Sequence, residues 1–245
     1  MTAQPVKNKP LRVGIVCEGQ RGCAETQVFP QLVKLICPEA ICGDAEIVPS
    51  GNRPNVLKKA PIIASLLLES GCDVVFVMWD VFPEWRDEGG STDCEEHRQT
   101  LDAGLTAAKM NKKPIVPVAI REELEAWLLC DGAAIEAAIG KLVTKKRVPS
   151  EKKPDTVSNP KARLKEIYKQ FRRGKGYNDV FSASQIAANI RSLEPLRASK
   201  SFARFERKLK EWCDKHNPIS SAVNEKQAKA DAKPKKQRVS DKKSE

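Results

Sequence analysis

The chain contains no long hydrophobic run: nothing in its 245 residues approaches the roughly 18 consecutive apolar positions that a membrane-spanning helix needs. Its opening, MTAQPVKNKP, lacks the apolar centre of a signal peptide, which predicts a cytoplasmic protein with no membrane partner. The eight cysteines, at 17, 23, 37, 42, 72, 94, 130 and 213, form no paired CxxC knuckles and fall mostly within apolar stretches. That pattern predicts buried free thiols over disulfides or zinc. Cys94 with His97 is at most half of a zinc site, because no second pair accompanies it. No GxGxxG follows the first apolar strand, which leaves a Rossmann-like dinucleotide binder poorly supported, and no Walker A sequence is present.

What is present is enough apolar residues, 40% of the chain, to build a sizeable core as one large domain or as a domain with an appendage. The net charge of +11 is unevenly spread. Residues 1–132 hold 14 Lys and Arg against 19 Asp and Glu, a net of −5; residues 133–220 hold 21 against 9, a net of +12. The last 25 residues hold 8 against 4, a net of +4. An acidic half beside a basic half suits a metal-using site next to a surface for a polyanion, although basic helices also serve simply to keep a protein soluble.

The stretch LRVGIVCEGQRGCAE, Leu11 to Glu25, organises the rest. A β-branched run ends at Cys17-Glu18-Gly19 and an apolar-periodic helix follows, carrying Val28, Phe29, Leu32, Val33 and Ile36, with Pro30 tolerable only near its start. Glu18 is thereby placed at the carboxyl end of a strand, the edge where open α/β sheets bind ligands, with Gly19 permitting the tight turn. A short strand is expected at residues 45–48, then a helix capped by Asn55. Asp73 to Trp79 is the strongest strand, apolar throughout as in a parallel sheet covered on both faces, and it ends at Asp80. A helix over residues 94–110 and a strand over 115–120 come next, and Glu122, Glu123 and Glu125 cluster where that strand gives way to the helix of REELEAWLLCD. Each acid taken alone is equally well a surface residue or a helix-start carboxylate. Together they place acids at three strand ends of one edge, provided the strands are parallel with right-handed crossovers.

These residues resemble the Toprim fold of topoisomerases, primases and the overcoming-lysogenisation-defect (OLD) nucleases. The likeness is nearest to small stand-alone bacterial Toprim proteins, on the Glu18-Gly19 strand end, the trailing Glu25, the Asp80 loop and the Glu-Ala-Trp-Leu-Leu helix. A segment like Lys153-Pro154 followed by Ser158-Asn159-Pro160-Lys161-Ala162-Arg163-Leu164 extends it, so that it spans roughly residues 11–212. The resemblance implies an α/β Toprim (Rossmann-like) parallel sheet flanked by helices and followed by a small helical module. On that reading residues 1–132 are the Toprim domain, 133–214 a basic helical module and 215–245 a disordered Lys-rich tail. Two departures stand out. Asp-x-Asp is replaced by Asp80-Val81-Phe82, with Glu84 the next acid, and the usual short spacing after Glu-Gly is stretched by Arg21-Gly22-Cys23-Ala24. Either Glu84 takes the second metal position or the site binds metal more weakly.

The implied chemistry is Mg2+- or Mn2+-dependent phosphodiester hydrolysis. Converging carboxylates repel one another unless a hard cation sits among them, and such an ion polarises a phosphodiester oxygen and activates water. Glu18 and Asp80 are the expected catalytic residues, with Glu18, Glu25, Asp80, Glu84, Glu123 and Glu125 as candidate metal ligands. The partners implied are DNA or RNA, a separate ABC-type or AAA ATPase as in antiviral defence, and a second copy of the chain. A noncatalytic nucleic-acid-binding or regulatory subunit on the same scaffold is the alternative. Nucleic acid is expected on Lys145, Lys146, Arg147, Lys161 and Arg163, and on Arg172, Arg173 and Lys175 of the RRGKGYND loop, whose glycines allow close approach to phosphates.

Overall fold

The structure, a computed structural model, describes residues 9–81, 94–172, 174 and 176–216. Four strands, β1 (Val13–Cys17), β2 (Ile47–Pro49), β3 (Val74–Asp80) and β4 (Ile115–Ile120), form one sheet in the order β2-β1-β3-β4. All pairs are parallel, with Val13 opposite Val74, Val77 opposite Pro117 and Asp80 opposite Ile120. Pro117 cannot donate to a ladder and accordingly sits in an edge strand. The fold class is thus α/β, a parallel sheet flanked by helices as in Rossmann-like folds.

Alternation along the strands sorts the core into two layers. Val13, Ile15, Phe76 and Met78 point to one face, where they meet helices α1 (Ala24–Ile36), α4 (Leu124–Leu129) and α8 (Lys200–His216). Val16, Val75, Val77 and Trp79 point to the other and pack on α2 (Arg53–Glu69) and α3 (Cys94–Ala107). Each such fully buried side chain contributes about 1.5–3 kcal/mol, which is why the strands read as continuous apolar runs. Helices α5 (Gly132–Ile139), α6 (Pro160–Phe171) and α7 (Phe181–Asn189) complete the first layer.

The change of charge at residue 132 does not divide the core. Leu164, Tyr168, Phe171, Phe202, Phe205 and Leu209 belong to the same buried cluster as Val13 and Phe76, and Phe205 packs edge-on against Phe76 at 5.4 Å between ring centroids. Trp127 ties the layer together: it stacks on Phe205, and its Nε1 donates to Ser201 Oγ at 2.8 Å.

Several local expectations shift. Helix α2 starts at Arg53 and its cap is Asn52, whose Oδ1 accepts from the Asn55 N–H at 3.2 Å; Asn55 is the group being capped. Pro30 lies inside α1 and not at its start, in a helix held by the buried Val28, Phe29, Leu32 and Val33. Helix α8 runs on to His216, beyond the residue 214 at which the helical module was expected to end, and the tail from 217 lies outside the described residues. Cys37 and Cys213 form a disulfide, with Cα atoms 6.4 Å apart, whereas Cys17, Cys23, Cys42, Cys72 and Cys130 are free. The cysteines were expected as thiols because most sit in apolar stretches and none forms a CxxC pair, but docking α8 against the end of α1 brings these two together. Among the described residues no helix is long and apolar enough to cross a membrane.

Candidate functional site

The turn after β1 is fixed by two glycines. Gly19 has φ of +96° and Gly51 of +87°, and each donates its N–H to the other's carbonyl, at 2.7 and 2.8 Å. A Cβ on Gly19 would also stand 2.6 Å from Cys23 Sγ, so both the backbone angle and the space require glycine. This turn directs Glu18 across to the neighbouring strand, where its Oε1 accepts the Asp80 N–H at 3.0 Å. Burial pushes the Glu18 carboxyl up to about 7; the Asp80 amide and the Arg53 guanidinium oppose the rise, and Glu123 adds to it.

The other described acids share this field. Asp80, at the end of β3, is raised well above the usual aspartate range by burial and then by Glu18, Glu25, Glu125 and Glu123. Glu25, in the first turn of α1, is raised by burial, by Cys23 and by Glu125. Glu125, only 4% exposed in the first turn of α4, is raised by burial and by Glu123, with Lys161 opposing. The Glu-Ala-Trp-Leu-Leu helix thus turns Glu125 towards the other acids while Trp127 anchors it in the core. Glu18, Glu25, Asp80, Glu123 and Glu125 are therefore brought together at one sheet edge; Glu84 lies outside the described residues.

Positive groups and a phenol were not foreseen among these acids. Lys161 was expected to face nucleic acid, yet its Nζ stands 3.7 Å from Glu125 Oε1 and 3.4 Å from Asp179 Oδ2, and its N–H donates to Glu123 Oε2 at 3.4 Å. Burial alone would lower the Lys161 ammonium, but Glu125, Asp179 and Glu123 together raise it. The Tyr177 hydroxyl donates to Glu125 Oε1 at 3.3 Å. Arg53, 1% exposed, donates from Nη1 to the carbonyls of Val81 at 2.6 Å and Asp80 at 3.3 Å, while its Nη2 has no hydrogen-bond partner among the described residues. Cys23 is the remaining surprise. A hydrogen bond with the Cys17 thiol, opposed by burial and helped by Glu25, brings its thiol down to about 5. The only signal for these in the sequence was position: Arg53 and Cys23 stand at the starts of α2 and α1, beside strand ends.

In chemistry the donor set fits a hard divalent cation, since its members are carboxylates whose charge is only partly offset and whose proton affinity is raised. It is not drawn into a closed ligand shell: among the described residues no group of three or more His, Cys, Asp or Glu side chains is placed to hold a metal ion.

The remaining expected nucleic-acid residues have varied surroundings. Lys145 and Lys146 are exposed, Arg147 pairs with Glu136 at 2.7 Å and Arg163 with Glu166 at 3.1 Å. Arg172 lies over the Tyr168 ring at 5.8 Å, and Arg173 and Lys175 are outside the described residues.

No curated protein and no solved structure matches the chain. One family model does, over residues 22–210, a span that begins just after the Glu18-Gly19 turn and runs into α8. As that span is well over half of the sequence, the chain belongs to the family described as a domain of unknown function (DUF4276).

Proposed function

We propose that this chain is a Mg2+- or Mn2+-dependent nuclease of Toprim type that hydrolyses phosphodiester bonds of DNA or RNA. On this reading it acts in the cytoplasm as the effector of an anti-phage system whose ATPase is a separate polypeptide. The observation that carries the reading is the convergence of Glu18, Glu25, Asp80, Glu123 and Glu125 on one sheet edge from three places in the chain: the β1–α1 connection, the end of β3 and the start of α4. A bound divalent ion would supply polarisation of a phosphate oxygen and a water acidified for attack. Asp80, Glu25, Glu123 and Glu125 would hold it. Glu18, poised at about 7, would take the proton of the attacking water onto its carboxylate, a role suited to a base that titrates near neutrality. The Asp80 amide fixes one Glu18 oxygen, and Arg53 holds the strand-end carbonyls so that neither acid drifts.

The test is cleavage of mixed DNA and RNA with Mg2+ or Mn2+, with the ATPase encoded beside the gene added where there is one. Asp80→Asn is expected to lower cleavage at least about 100-fold with little change in nucleic-acid affinity, and Glu18→Gln to do the same without further loss in the double variant. A second reading, a noncatalytic nucleic-acid-binding subunit, is favoured by Lys161 lying among the acids and by the absence, among the described residues, of a ready three-ligand group. Equal activity of wild type and Asp80→Asn on every substrate would decide for it.

A further inference from the structure

One strand away from Asp80, the same sheet edge carries a cavity of about 550 Å3 whose wall includes Arg121, Lys152, Lys153, Lys200, Asp155 and Ser201. Arg121 directly follows Ile120, the residue opposite Asp80 in the sheet, and is separated from Glu123 only by Glu122, which turns the chain with φ of +63°. Lys152 and Lys153 precede a 3-10 turn at Pro154–Thr156, and Lys200 is the first residue of α8. Three separate segments therefore deliver four cations to one hollow. Among the described residues none of the four side chains has a carboxylate within ion-pair distance.

The single acid in the wall is already engaged. Asp155 Oδ1 accepts the Ser199 hydroxyl at 2.6 Å and Oδ2 accepts the Lys200 N–H at 2.8 Å. It anchors the start of α8; Arg121 is offset in part by the neighbouring Glu122, and the three lysines have no ion pair among the described residues. Like charges gathered around a concavity repel one another, and the arrangement is favourable when an anion lies between them. The α8 N-terminus adds a further positive end at the same place.

We propose that this cavity is a phosphate-binding subsite that seats the backbone phosphates of a nucleic-acid strand beside the acidic edge. The identity of the strand rests on the nuclease reading above; the phosphate chemistry does not. Phosphates held here position the polymer without reading its sequence.

The test uses the full chain in EDTA, so that binding is measured without cleavage. Probes are short fluorescein-labelled single-stranded DNA and RNA, followed by anisotropy, and inorganic pyrophosphate, followed by calorimetry. Lys152→Ala/Lys153→Ala/Lys200→Ala is compared with Lys58→Ala/Lys59→Ala/Lys112→Ala, which removes the same charge from exposed lysines on α2 and before the amino end of β4. The first triple is expected to weaken oligonucleotide binding at least about tenfold and to reduce the slope of log K against log salt by about 2, near the 0.7 per phosphate typical of single strands. The second is expected to change binding less than about threefold. The single variant Lys200→Glu gives the same direction if the triple is hard to purify. Equal losses from both triples, no loss from the first, or a wild type that binds neither oligonucleotide nor pyrophosphate overturns the proposal. Pyrophosphate binding that the first triple abolishes, without any oligonucleotide binding, supports a phosphate site but assigns it to a free ligand and removes the strand. Tight, pocket-dependent binding by a protein that never cleaves sinks the nuclease reading alone; cleavage indifferent to the first triple sinks the pocket alone.

Discussion

Glu18 and Asp80 bind protons more tightly in the folded chain than an exposed carboxylate does, because burial and neighbouring acids disfavour their charge. The linkage has a definite sign. A carboxylate raised on folding contributes stability that is fully present below its unfolded pKa and is lost as pH rises through the folded one, for Glu18 about 7. In EDTA the melting temperature of Asp80→Asn should therefore exceed that of wild type by a margin that grows from about pH 5 to about pH 8. Scanning fluorimetry checks this, and a margin that is constant or shrinks with pH would rule out the strained acid cluster. Adding Mg2+ at the upper pH should raise the wild type and leave Asp80→Asn nearly unmoved. These two acids were legible in the sequence because both follow apolar strands directly, so strand direction alone places them. Lys161 was not, because its neighbours Lys165 and Lys169 read as a basic helix surface, and only the fold carries its side chain back to Glu125. Tyr177 was missed for a similar reason: the glycines and cations around it read as a phosphate-contacting loop, yet its ring packs against Tyr168 at 5.4 Å.

Among the elements, α2 shows how a helix start is set by one side chain. Asn52 caps it and the next residue, Arg53, reaches the carbonyls at the end of β3. Asn52→Ala should lower stability by about 1 kcal/mol in urea unfolding, with an unchanged m-value. If the loss is nil, the cap hydrogen bond contributes nothing. The true cap was hidden because Asn52 and Asn55 both precede an apolar run and both are good capping residues; Pro54 in the first turn was the available clue, since proline is favoured there. Strands were more legible than helix ends. Continuous burial on both faces leaves little freedom in β1 and β3, whereas α3 stops at Ala107, three residues short of the expected 110.

For the molecule as a whole, charge and packing divide the chain differently. The basic half is read from composition, but its apolar stripe, Phe202, Phe205 and Leu209 on α8 with Leu164 and Tyr168 on α6, belongs to the core of the acidic half. A fragment of residues 133–216 should consequently show no cooperative thermal transition by circular dichroism, since it lacks the sheet against which that stripe is buried. A sharp transition in the isolated fragment would establish an independent module. Composition could not reveal the shared core, because burial is a property of pairs of surfaces.

The bridge between Cys37 and Cys213 gives this architecture a mechanical direction. Between those residues, 176 positions apart, backbone and disulfide form a closed ring that contains β2, β3 and β4 but not β1. Tension applied at the two termini runs along β1 and α1, crosses the bridge, and leaves through the last turn of α8. The ring itself carries no load, and about 600 Å of extensible chain stays hidden until the bridge is reduced. The strand that bears Glu18 is then the part a pull removes, while Asp80, Glu123 and Glu125 stay behind in the ring.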